Sequence, residues 1–86
     1  MAKLPALSGS DLVRVLERSG FQMLRQHGSH MVLQKRTAER TVTTVVPNHK
    51  ELARGTLHTI LKKVNLTPEE LTKLLTLALG VSPFLK

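Results

Sequence analysis

The hydrophobic pattern changes period twice along this chain, and that change restricts the fold more than any single residue does. Leu12, Val13, Val15 and Leu16 recur at near-helical spacing. Phe21 and Met23 then alternate with Gln22, and Met31 and Leu33 alternate with His30, Val32 and Gln34, the period of two expected of a half-buried strand. Thr41-Val42-Thr43-Thr44-Val45-Val46 is β-branched throughout, which suits a third strand. The helical period returns with Leu57, Ile60, Leu61 and Val64 at i, i+3, i+4, i+7, and again with Leu71, Leu74, Leu75 and Ala78.

Boundary residues agree with this division. Ser8 suits an N-cap, with Asp11 three residues on in the place of a capping box, and Gly20 is a stop. Gly28-Ser29 and Thr37-Ala38-Glu39-Arg40 are short connections, so the strands form an antiparallel meander that Pro47 ends. Asn65 closes the second helix. Thr67-Pro68-Glu69-Glu70 opens a third, and Gly80 ends it. The predicted class is α+β: an αβββα order like that of double-stranded-RNA-binding domains, with a three-stranded antiparallel sheet, helices on one face and an additional C-terminal helix. The other face is then free for a partner. The 86 residues suit one domain, with a core over about 8–79 and a tail at 81–86.

Charge narrows the partner. Thirteen Lys and Arg against six Asp and Glu give a formal charge of +7, which opposes compaction and points to a polyanion: RNA, DNA, an acidic protein or an anionic membrane. The only aromatics are Phe21 and Phe84, so any contact with nucleic acid rests on phosphates, sugars and shape rather than base stacking. There is no cysteine, hence no disulfide or thiolate metal site. No run approaches the ~20 apolar residues of a membrane span, and the first residues lack a signal-peptide hydrophobic core. A cytoplasmic location away from the membrane is the expectation.

The most informative tripeptide is Gly28-Ser29-His30, at the entry to the second strand. If Met31 and Leu33 face the core, alternation turns His30 to the open face. An imidazole can serve as either proton acceptor or proton donor, as acid–base catalysis needs. RNA carries its own nucleophile, the 2′-hydroxyl. Its cleavage therefore requires a proton acceptor, a proton donor and cations near the phosphorus. Gly28 lets a phosphate approach the backbone, and Ser29 can donate to it. On the bland reading His30 is a polar residue on a sheet face. His27 lines the groove before the turn, and His49 follows the third strand. On the second helix Arg54, His58 and Lys62 are spaced four apart and form a basic stripe, with Lys50 and Lys63 nearby; this is either a phosphate track or a solvated helix face. The histidine spacings match no metal-binding pair, so neither a metal nor a small-molecule cofactor is expected.

Together these segments resemble a known family. Arg25-Gln26-His27-Gly28-Ser29-His30, Val45-Val46-Pro47-Asn48-His49, Lys50-Glu51-Leu52 and Gly55-Thr56-Leu57-His58-Thr59-Ile60-Leu61-Lys62 are similar, in order and in spacing, to the HicA family of toxin–antitoxin systems. Leu12 to Phe21 and Leu66-Thr67-Pro68-Glu69-Glu70-Leu71 fit as well, so the resemblance runs over roughly residues 8–79. It implies a double-stranded-RNA-binding-domain-like fold, metal-independent cleavage of mRNA and neutralisation by a HicB-type antitoxin. It maps the motif histidine onto His30 as the catalytic residue, and Gly28 and Ser29 onto its neighbours. His49 matches the histidine after the third strand, with no fixed role. Where many relatives have an aromatic after the motif histidine, this chain has Met31-Val32-Leu33. Two other readings remain at this point: a non-catalytic RNA-binding module of the same fold, and a protein-interaction subunit whose basic face meets an acidic partner.

Overall fold

Local signals set where each element starts and stops. The computed structural model describes residues 4–80; the tail at 81–86 lies outside the described residues. The order is α1 (Gly9–Arg18), β1 (Gln22–His27), β2 (His30–Arg36), β3 (Thr41–Pro47), α2 (Arg54–Val64) and α3 (Pro68–Leu79). This is the αβββα order followed by a C-terminal helix, as the sequence predicts.

Ser8 caps α1: its hydroxyl accepts from the Asp11 N–H at 3.0 Å. The reciprocal half of a capping box is not formed, because the box calls for the longer Glu or Gln at that place. At α3 both halves are present, with Thr67 Oγ1 accepting from the Glu70 N–H and Glu70 Oε1 accepting from the Thr67 N–H. Asn65 and Gly80 close α2 and α3 in the left-handed conformation. The N-cap of α2 is Ala53, which offers no side-chain acceptor, and the first turn carries no acid. Its leading N–H groups therefore have no capping side chain.

The sheet is antiparallel in the order β1-β2-β3. Residues paired across strands share a face, so the register sorts the side chains. Met31 pairs with Val46 and Leu33 with Thr44, and all four are buried beneath the helices. His30 pairs with Pro47, Val32 with Val45 and Gln34 with Thr43 on the opposite face, where Gln34 donates to the Thr43 hydroxyl at 3.0 Å. The helices supply Leu12, Val15, Leu16, Leu57, Ile60, Leu61, Leu71 and Leu75 to the core. Helices α1 and α2 lie against the sheet, and α3 packs chiefly on α1.

Two features of the sheet depart from simple alternation. Val32, on the open face, is only 9% exposed, because the central strand is flanked by neighbours on both sides. In β1 the register shifts between Met23 and Arg25, leaving Leu24 as an extra residue. Such a bulge re-aims the residues beyond it. Met23 pairs with Leu33 of the helix-covered face, whereas Arg25 pairs with Val32 of the open face. Uninterrupted alternation from Phe21 and Met23 would have turned Arg25 and His27 toward the helices.

A hairpin end bearing two histidines as candidate active site

The bulge and a tight turn jointly create the most chemically capable part of the surface. Only Gly28 and Ser29 separate β1 from β2. Gly28 has φ +56°, and Ser29 is not among the residues with positive φ, the pattern of a type II′ hairpin turn with glycine at its first central position. The Gln26 side-chain amide donates to the Gly28 carbonyl at 3.0 Å and braces the turn. A side chain at Gly28 would meet no atom within 4 Å, so the glycine serves the backbone conformation and leaves open space above it.

A two-residue turn makes its flanking residues direct partners. His27 stands opposite His30, and the same His30 stands opposite Pro47 on its other side. Both histidines are exposed, and the register sets them on one face. Directly opposed residues have Cβ atoms roughly 4.5–5.5 Å apart, so the two imidazoles can reach one group bound between them.

The chain leaving β3 passes the same end of the sheet. The Asn48 N–H donates to the Ser29 carbonyl, which ties the turn to that segment. His49 and Lys50 follow, both exposed. The His49 carbonyl accepts from the Gly9 N–H at 2.9 Å, and the Leu52 N–H donates to the Leu7 carbonyl at 2.7 Å. The start of α1 is thus fastened to the exit of β3, and the chain approaching α2 to the segment that precedes α1. The hydroxyl of Ser29 has no hydrogen-bond partner among the described residues.

The structure therefore brings Gly28, Ser29 and His30 together, adds His27, and attaches the segment carrying His49 and Lys50. Arg54, His58 and Lys62 are exposed along α2, as their spacing predicts, but α2 belongs to the layer on the other face of the sheet. No hydrogen bond among the described residues connects them to His30. At the far end of the open face, Gly20, Gln22, Leu24, Gln34 and Arg36 line a depression of about 380 Å³. From sequence His27 is no more than a groove-lining residue. The signal that could have raised it is the two-residue turn, which dictates the pairing of residues 27 and 30.

Fold and site together define a small basic α+β protein that presents paired histidines on an open sheet. A family model described as HicA toxin of bacterial toxin-antitoxin matches residues 9–66, and this chain belongs to that family. The match spans α1, the whole sheet and α2, and ends before α3. No curated protein and no solved structure matches the chain. Membership supports a toxin role of the kind found in toxin–antitoxin systems. Among the described residues, no helix is long and apolar enough to cross a membrane.

Proposed function

We propose that this toxin is a metal-independent endoribonuclease of the cytoplasm that binds and cuts mRNA, with His30 as its catalytic residue, and that a HicB-type antitoxin neutralises it. The observation that carries the proposal is the setting of His30: exposed on the uncovered sheet face, beside an open Gly28-Ser29 turn, in a chain of formal charge +7.

The chemistry asks little of the protein. The 2′-hydroxyl of RNA attacks the adjacent phosphorus once its proton is taken, and the 5′-oxygen leaves once it is given one. His30 transfers a proton at this centre. The Ser29 hydroxyl donates to a phosphate oxygen, and the missing side chain at Gly28 permits the approach. Lys50 attracts the flanking phosphates, with His49 beside the entry, and Arg54, His58 and Lys62 along α2, in the layer on the other face of the sheet, attract phosphates farther along the strand. The leading N–H groups of α2 favour negative charge in the same way. The nucleophile belongs to the substrate and the proton transfers belong to side chains, so the reaction requires no metal ion or small-molecule cofactor. The fold acts as a double-stranded-RNA-binding-domain-like scaffold in one domain. An antitoxin inhibits most simply by covering the open face around His30.

The test is induction of the wild-type chain and of His30→Ala in cells, with growth and RNA integrity followed together. Growth arrest with fragmented mRNA for the wild type alone supports the proposal. Arrest by both proteins with intact mRNA overturns it in favour of a non-catalytic RNA binder.

A further inference from the structure

We infer that His27 is a second catalytic residue, and that His27 and His30 divide between them the two proton transfers of RNA cleavage. The inference rests on the ribonuclease reading above and goes beyond its single histidine.

The Leu24 bulge sends Arg25 and His27 to the open face, and the two-residue turn sets His27 directly across from His30. Two imidazoles rooted roughly 5 Å apart can address opposite oxygens of one phosphodiester. Cleavage needs that arrangement: one imidazole accepts the proton of the 2′-hydroxyl, whose oxygen bonds to phosphorus. The bond from phosphorus to the 5′-oxygen breaks, and the other histidine, entering as imidazolium, protonates the departing oxygen. The products are a 2′,3′-cyclic phosphate and a 5′-hydroxyl. The pair finishes with its protonation states exchanged, and solvent resets it. A lone histidine would leave one of the two transfers to water.

The charged and titratable surroundings are sparse. On β1, Arg25 shares the face, opposite Val32. On β2 the next charged residue of that face is Arg36, six positions away, and on β3 the residue opposite His30 is Pro47. The loop after β3 carries His49, Lys50 and Glu51, and Asp11 lies in the first turn of α1, which Gly9 joins to that loop. None of these groups stands in the place opposite His30 that His27 holds.

The experiment compares wild type, His27→Ala, His27→Gln and His30→Ala. Each is assayed for kcat/KM against pH on a short RNA, and on the same RNA with sulfur in place of the 5′-bridging oxygen, a leaving group that needs no proton. Binding to the 2′-deoxy version reports whether the surface is intact. The wild type should give a bell-shaped profile, as an acid and a base acting together do. Both His27 variants should bind the deoxy strand normally and lose about 10²-fold to 10⁴-fold in rate. The sulfur substrate should restore one of the two alanine variants and not the other. His27 variants that cut at the wild-type rate while His30→Ala is inactive overturn the pairing and leave the single-histidine enzyme. Equal behaviour of both alanine variants on the sulfur substrate also overturns it. A wild type that binds and never cuts overturns the ribonuclease reading itself, and the pair with it.

Discussion

Gly9 and His49 are joined through their backbones, the Gly9 N–H donating to the His49 carbonyl oxygen at 2.9 Å, and this bond fastens the start of α1 to the chain leaving the sheet. The approach is so close that a Cβ on Gly9 would fall inside the contact distance of the Pro47 carbonyl oxygen, a backbone atom with little freedom to retreat.

Two effects oppose each other in Gly9→Ala. Alanine is the better helix former by about 1 kcal/mol. Forcing a methyl against fixed backbone costs typically about 1–3 kcal/mol. The steric clash should win, because the atom it meets is main chain. Urea unfolding should show a net loss of stability, and an unchanged or raised midpoint would contradict the close packing at this junction.

Helix α3 lies beyond the family match, yet Leu71 and Leu75 are completely buried and α3 packs on α1. Leu75→Ala should therefore destabilise the fold by about 2–5 kcal/mol, the usual range for a truncated core leucine. A change within the error of a denaturant curve would mean that α3 is dispensable to the core.

The capping box of α3 gives a pH dependence of definite sign. The Thr67 backbone N–H, and secondarily its hydroxyl, hold the Glu70 carboxyl below its ordinary value of 4.5. A carboxylate favoured in the folded state stabilises fully above the ordinary carboxylate range, and the contribution is lost as pH falls through the depressed value. Thermal midpoints of Glu70→Gln should fall less steeply than those of the wild type on acidification below about pH 4.5. Parallel curves for the two proteins would show that the carboxylate is not linked to folding.

Much of this fold can be read directly from the chain, for a simple reason. Amphipathic periods, capping residues and turn glycines are local, so Ser8, Asn65, Thr67 and Gly80 mark their boundaries and Met31 and Leu33 turn His30 outward. What is not legible depends on how distant segments meet. The bulge at Leu24 follows from how an edge strand pairs, and it reverses the face that alternation from Phe21 and Met23 assigns to His27. The need for glycine at position 9 arises from Pro47, 38 residues away in sequence, and position 9 alone carries no sign of it.

The basic residues of α2 should act on RNA through charge. Replacing Arg54 and Lys62 together by alanine should weaken binding to single-stranded RNA at low salt. It should also flatten the dependence of log K on log salt by about 0.7 for each phosphate that is no longer neutralised. An unaltered slope would make this stripe a solvated helix face and nothing more.

Acid–base chemistry on RNA by His30 is tested most directly by mixing purified wild type and His30→Ala with a long RNA in excess EDTA, following the cleavage rate and identifying the new ends. The wild type should cut to 2′,3′-cyclic phosphate and 5′-hydroxyl ends, and the variant should be slower by about 10²-fold to 10⁴-fold. Cleavage by His30→Ala at the wild-type rate, or binding without cutting by both proteins, would contradict a catalytic His30.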